Sequence, residues 1–215
     1  MDTKEILAKI DYTLLKPCAT REQVERLCAE ALAFGTASVC IAPCFVAAMR
    51  AAFPTLTICT VIGFPLGFAG TAAKQSEAQD ALQNGADELD MVVNLGDVKR
   101  GDFAAVTAEI AAVKHLCGAR ILKVIIETCY LDEQEKIALC RCVNEGGADF
   151  IKTSTGFGNG GATIEDVRLL RAHCDPRVAI KAAGGVRSRA DFERFAPLCA
   201  RIGASSIQTL TEETL

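Results

Sequence analysis

The residue with most chemistry to offer is Lys152. It stands in a β-type run, Asp149-Phe-Ile-Lys-Thr-Ser-Thr155, that empties into a glycine-rich loop, Gly156-Phe-Gly-Asn-Gly-Gly161. Side chains alternate along a strand, so Lys152 and Ser154 share one face while Ile151 and Thr153 share the other. A lysine turned into a barrel or under a sheet is disfavoured as an ammonium. Its pKa falls and a nucleophilic amine becomes available, which is how Schiff-base lysines arise. The alternative is an edge-strand lysine in water, because lysines are rarely buried. Three more charged residues break apolar strand-like runs in the same manner: Asp90, Lys123 and Lys181. Lys123 alone reads as readily as one half of a structural ion pair. All four together point to a shared site, because buried charge is tolerated only when it is paired or used. In such a site Lys181 holds Lys152 as a free amine by repulsion between ammonium groups, and Asp90 moves protons during carbinolamine formation and carbon–carbon cleavage.

Two loops suggest where an anion binds. Gly184-Gly-Val-Arg187 follows the Lys181 run and opens a helix capped by Ser188, while Gly203-Ala-Ser-Ser206 follows the last apolar run. Glycines let backbone N–H groups approach an oxyanion. A Gly-Gly pair by itself is more often a turn. Beside Arg187, Ser205 and Ser206, after the seventh and eighth strands of a barrel, it favours a phosphorylated substrate.

These groups need elements to carry them. Ile10 to Leu15 reads as a first strand with Asp11 and Thr13 on one face. A helix follows, opened by a capping box of Thr20 with Gln23, carrying Val24, Leu27, Cys28, Ala31 and Leu32 at helical spacing, and ended by Gly35. Further helices are expected over Thr71 to Gly85 and from Asp102, Asp132, Thr163 and Ser188. Gly85-Ala-Asp-Glu-Leu-Asp90 and Gly147-Ala-Asp-Phe-Ile-Lys152 repeat one pattern, leaving a helix at a glycine and entering a strand, which predicts Asp90 and Lys152 at equivalent depth. Strands centred roughly at 12, 40, 59, 91, 124, 152, 180 and 203, with helical segments between most of them, predict an α/β fold of the (β/α)8 TIM-barrel type, a single domain over residues 1–215. An open doubly wound sheet is the runner-up, but it would gather ligand loops at one switch point, whereas polar and glycine-rich features recur here at many strand ends.

Composition narrows the function classes. With 215 residues, 50% of them hydrophobic, the chain can bury a full core. A net charge of −4 with interspersed signs leaves no basic stripe for nucleic acid. Met1 to Asp11 carries Asp2, Lys4, Glu5 and Lys9 where a signal peptide needs an apolar run, and no apolar run approaches a membrane span, so a cytoplasmic location without a membrane partner is expected. Eleven cysteines, an odd number with no Cys-x-x-Cys, and two histidines give no ligand-like cluster. Zinc is not expected, and most thiols are expected to pack as small apolar side chains. Cys40, ahead of Ala42-Pro43, has two readings: at the barrel mouth and reactive toward aldehydes, or buried and inert.

Asp11-Tyr-Thr-Leu-Leu-Lys-Pro17, Thr60-Val-Ile-Gly-Phe-Pro-Leu-Gly67, Glu88-Leu-Asp-Met-Val-Val-Asn94, Lys123-Val-Ile-Ile-Glu-Thr128, Phe150-Ile-Lys-Thr-Ser-Thr-Gly156, Lys181-Ala-Ala-Gly-Gly-Val-Arg187 and Arg201-Ile-Gly-Ala-Ser-Ser206 together resemble the deoxyribose-phosphate aldolase family, in the family's order. The resemblance implies a class I aldolase without metal or other cofactor. Such an enzyme reversibly cleaves 2-deoxy-D-ribose 5-phosphate to D-glyceraldehyde 3-phosphate and acetaldehyde, in deoxyribonucleoside catabolism. The partners implied are a phosphorylated sugar, small aldehydes and a second copy of the chain in a homodimer. By motif position it implies Lys152 as the Schiff-base lysine, Lys181 as the neighbour that tunes it and Asp90 as the proton-transfer carboxylate, with phosphate on Gly156, Gly184, Gly185, Ser205 and Ser206. Substrate contacts are further expected from Asp11, Thr13, Cys40, Lys123, Thr155, Arg187 and Gly203. Tyr12 stands where the family usually has histidine. The sequence runs nine residues past Ser206, where some relatives continue into a longer helix and a tail, so a very short eighth barrel helix is expected. A keto-phosphate aldolase of the same fold and a binding-only barrel are the rival readings. Retention of Asp90, Lys152 and Lys181 counts against the second.

Overall fold

Each apolar run set between a helix end and a polar loop forms a strand in the computed structural model, which describes residues 1–211. The strands are β1 (Ile10–Leu14), β2 (Ser38–Ile41), β3 (Ile58–Ile62), β4 (Glu88–Val92), β5 (Ile121–Ile125), β6 (Phe150–Lys152), β7 (Ala179–Ala183) and β8 (Arg201–Ala204). All pair in parallel in sequence order, and β8 returns to β1 with Ile202 opposite Ile10 and Gly203 opposite Asp11, so the sheet closes into an eight-stranded barrel. Around it run α1 (Thr3–Leu7), α2 (Arg21–Phe34), α3 (Val46–Ala52), α4 (Thr71–Gln83), α5 (Leu95–Lys99), α6 (Phe103–Cys117), α7 (Glu133–Gly146), α8 (Ile164–His173), α9 (Arg189–Phe195) and α10 (Gln208–Thr211). This is the expected (β/α)8 architecture. No helix of the described residues is long and apolar enough to cross a membrane. The length expected of the last helix falls partly on 212–215, outside the described residues.

Local signals fix the helix ends. Thr20 and Gln23, Asp132 and Glu135, and Ser188 and Asp191 form reciprocal capping boxes at α2, α7 and α9, each worth about 1 kcal/mol. Gly35 and Gly147 close α2 and α7 in the left-handed conformation. On α2, Val24, Leu27, Cys28 and Ala31 are buried as their spacing predicts, while Leu32 is exposed at the margin of the apolar stripe.

Strand alternation sorts the side chains into two shells. Leu89, Met91, Leu122, Val124, Ile151, Ile180 and Ile202 join the continuous apolar core that includes the buried faces of the helices. The positions between them turn inward. Barrel interiors are usually filled by branched apolar side chains; here the inward positions of six strands include Asp11, Glu88, Asp90, Lys123, Lys152, Lys181 and Arg201. Buried apolar side chains share those faces at Val92, Ile125, Phe150 and Ala183, and β2 and β3 add a small cluster of Cys40, Cys59 and Val61.

Candidate active site

Strand register brings the inward charges together. Asp90 lies beside Lys123 across β4 and β5, Lys152 beside Lys181 across β6 and β7, and Lys181 beside Arg201 across β7 and β8. Asp90 is the hub. Its Oδ1 accepts from Lys123 Nζ at 2.8 Å and from Cys59 Sγ at 3.1 Å; its Oδ2 accepts from Lys152 Nζ at 2.7 Å and Lys181 Nζ at 2.8 Å. Lys181 also pairs with Asp11 at 2.5 Å, Lys123 with Glu88 at 2.6 Å, and Arg201 with both Asp11 and Glu88 at 3.0 Å. Four cations thus face three carboxylates.

The protonation of the cluster follows from this geometry. Burial by itself would raise Asp90, but the ammonium groups of Lys123, Lys152 and Lys181 outweigh it and hold the carboxyl well below the usual range. Asp11 is pulled from 3.8 to about 2 against its own burial, chiefly by Lys181 and Lys123. Burial works against the charge of Lys181, yet Asp11 and Asp90 raise it above the ordinary lysine value, and Lys123 is raised well above it by Asp90 and its neighbours. Accessibility separates the lysines: Lys152 is 4% exposed, while Lys123 and Lys181 are fully enclosed at 0%. Lys152 is the one amine of the cluster that a ligand can meet.

A cavity of about 530 Å³ opens above it, at the carboxyl ends of the strands. Lys152 forms its floor, with Thr13, Thr155, Gly156, Gly184, Gly185, Arg187, Gly203 and Ser205 among its walls and α2 along one side through Gln23, Arg26 and Glu30. Tyr12 also lines it and donates to Glu30 at 2.9 Å. The two glycine loops meet over this floor. A Cβ on Gly161 would collide with the Gly184 carbonyl oxygen, and Gly184 itself needs φ of +85°, so neither position accepts a side chain.

Several expected contacts need correction. Asp11 and Lys123 do not line the cavity; both are fully enclosed below Lys152, where they compensate one another and the other charges. Cys40 is fully buried beside Cys59 and Val61, which removes it from the mouth and from contact with a ligand. Ser206 is not among the residues that line the cavity, and its hydroxyl accepts from Gln208 N at 3.4 Å at the start of α10. Asp90 and Lys181 lie one layer beneath the floor and reach the cavity only through Lys152. The fold also assembles a grouping invisible in the cysteine spacing, since Cys40 and Cys59 are opposite one another across β2 and β3 and their sulfurs lie within 4.8 Å of an Asp90 oxygen. Three ammonium groups already surround that carboxylate, an environment that repels a further cation.

Glu88, Arg201 and Glu127 were not singled out by sequence. Glu88 and Arg201 belong to the charged layer, and the signal was present, because Glu88 precedes Asp90 by two and shares its face. Glu127, just past β5, is buried against Thr155, and no sequence signal marks it.

The family model for DeoC/LacD family aldolases matches residues 5–207. A deoxyribose-phosphate aldolase of Clostridium botulinum (strain Eklund 17B / Type B) is 51% identical over 207 residues, covering 95% of this chain and 94% of that protein. One of Clostridioides difficile (strain 630) is 52% identical over 206 residues, with the same coverage. Among solved structures, the deoxyribose phosphate aldolase of Aeropyrum pernix, described as a unique tetramer, superposes with a TM-score of 0.89 at 32% identity, covering 99% of this chain and 92% of that one.

Proposed function

The chain belongs to the DeoC/LacD family of aldolases, and from that premise we propose that it is a deoxyribose-phosphate aldolase working through a Schiff base at Lys152. What supports this reading above all is the convergence of Lys152 and Lys181 on one oxygen of Asp90, with Lys152 alone open to the cavity. Phosphate binding by itself would need only the glycine loops. A layer of seven charged side chains, six of them buried, with one amine open to the cavity is a costly arrangement that chemistry explains.

The geometry supports the following course. Lys152, as the neutral amine, adds to C1 of the open-chain sugar, and the carbinolamine loses water to give an iminium. With Lys152 neutral, Lys123, Lys181 and Arg201 face Asp11, Glu88 and Asp90, and the layer balances. The iminium places positive charge back on a nitrogen held beside Asp90, which stabilises it in a site shielded from water. Asp90, acting through a water, takes the proton of the C3 hydroxyl. The C2–C3 electrons pass into the iminium, glyceraldehyde 3-phosphate leaves, and an enamine remains on Lys152. Protonation of the enamine at carbon and hydrolysis release acetaldehyde and restore the amine. The phosphate sits on the loops of Gly156, Gly184, Gly185 and Ser205, with Arg187 beside them. The physiological setting we infer is deoxyribonucleoside breakdown by a homodimer in the cytoplasm; light scattering tests the assembly.

Incubation with acetaldehyde, borohydride reduction, digestion and mass spectrometry test the mechanism. A reduced ethyl adduct on Lys152 is the expected result. Cleavage of deoxyribose 5-phosphate with no lysine trapped would remove the Schiff base, and binding without cleavage would make the chain a sensor of sugar phosphates.

A further inference from the structure

Glu127 is the one residue other than glycine with a positive φ among the described residues, at φ 52° and ψ 66°. It is also a buried carboxyl group, 3% exposed, that pairs with no lysine, arginine or histidine among the described residues, and the mechanism above leaves it without a task. Side chains of L-residues take the left-handed conformation at a cost, and such outliers persist where the surroundings enforce them. Here the surroundings are the loop that follows Lys152. Thr155 N donates to Glu127 Oε1 at 3.1 Å and to Oε2 at 3.3 Å, and the Thr155 hydroxyl donates to Oε2. The same hydroxyl accepts from Phe157 N at 3.0 Å. Gly156, at φ 85°, is therefore held between two tethered residues.

The tether belongs to a larger seam. Beyond the end of β5 the chain stays beside β6 and its loop: Ile126 N donates to Lys152 O at 3.1 Å, and Thr128 N donates to Thr153 O at 2.9 Å. A residue in ordinary strand conformation at 127 would direct its side chain along that alternation. The left-handed turn instead aims the carboxyl group at Thr155. On its other side the loop abuts Gly184, so its position is fixed from both flanks.

We infer that Glu127 is a positioning residue that sets the anion-facing geometry of the Thr155–Phe157 turn, and with it the preference of the enzyme for a phosphorylated substrate over the same sugar without phosphate. The inference rests on the aldolase reading above. Carboxyl groups that receive two or three hydrogen bonds make strong, directional anchors, and a loop held this way meets the phosphate with no ordering left to do. A role in the scaffold alone would affect both sugars equally.

The test compares kcat/KM for 2-deoxyribose 5-phosphate and for 2-deoxyribose in the wild type, E127G and E127Q, with Tm measured alongside. Glycine accepts φ 52° without strain, so E127G removes the carboxyl group while easing the backbone. E127Q keeps the shape and one acceptor oxygen. The expected result is a fall of the phosphate preference by at least tenfold in E127G, carried mainly by a higher KM for the phosphorylated sugar, with an intermediate value in E127Q. A preference that stays the same in both variants, with equal losses on the two sugars, overturns the inference alone. A wild type that does not cleave deoxyribose 5-phosphate overturns the aldolase reading, and the inference with it.

Discussion

Lys181→Met replaces a buried ammonium by an apolar side chain of similar length, and it tests the proposal that the charged layer keeps Lys152 reactive. Lys152 and Lys181 contact the same Asp90 oxygen at 2.7 and 2.8 Å, so their nitrogens lie no more than about 5.5 Å apart. At an effective dielectric constant of about 20, two unit charges at that separation repel by roughly 3 kcal/mol, or about 10²-fold in an equilibrium constant. The substitution also leaves Lys123, Lys152 and Arg201 facing Asp11, Glu88 and Asp90, so the layer now balances only with Lys152 charged. The rate of imine formation with acetaldehyde, read by borohydride trapping and mass spectrometry across pH, should fall by about 10²-fold at neutral pH. Breaking buried ion pairs costs about 3–5 kcal/mol, so Tm is followed in parallel to confirm a folded variant. A folded variant that is trapped as fast as the wild type refutes the reasoning that the charge on Lys181 governs the amine.

Other perturbations have equally definite outcomes. Asp90→Asn leaves four cations facing two carboxylates and removes the proposed proton acceptor, and steady-state kcat/KM for deoxyribose 5-phosphate should drop by about 10²–10⁴. Asp11 is held at about 2 when folded against 3.8. Its stabilisation is present above pH 3.8 and is lost as the pH falls through about 2, a contribution of roughly 2 kcal/mol that acid unfolding curves of Asp11→Asn should lack. Burial and Glu30 push Tyr12 up to about 12 from 10.0. The folded state holds that proton more tightly, so this stabilisation is present below pH 10 and is lost as the pH rises through about 12; Tyr12→Phe should delete the late step in a tyrosinate absorbance titration. Gly161→Ala forces a methyl group against the Gly184 carbonyl and should lower Tm and raise KM for the phosphorylated sugar, read by calorimetry and kinetics.

Charge in an apolar run is a strong sequence signal, which is why Asp90, Lys152 and Lys181 were legible. Asp90 and Lys152 share an offset of five from a helix-ending glycine, which predicts equal depth; the register instead sets Asp90 level with Lys123 and Phe150, two residues below Lys152, and the 2.7 Å contact between them spans two layers. Depth was as hard for the rest. Period-two alternation gives the face of a strand but not the height of a residue along the barrel axis, because height depends on strand tilt and stagger. Asp11, Lys123 and Cys40 were therefore on the correct face and one layer too low to meet a ligand. The short helices α1, α3 and α5, of 5, 7 and 5 residues, offer too few turns for a periodic pattern. Glu127 was illegible for another reason: nothing in Ile125-Ile-Glu-Thr128 favours a left-handed residue, and tertiary hydrogen bonds select it.

The charged layer also ties completion of the candidate site to closure of the barrel. Asp11 and Arg201 meet across 190 positions, and Lys181 reaches Asp11 from nearly as far along the chain. Contacts of such separation are slow to form, because the intervening chain must be ordered first. Until β8 docks on β1, Asp11 lacks Arg201, and the layer of paired charges beneath Lys152 is incomplete. In a refolding experiment, helical circular dichroism should therefore recover before trapping activity. Closure of β8 on β1 is thus also the step that completes the charged layer beneath Lys152.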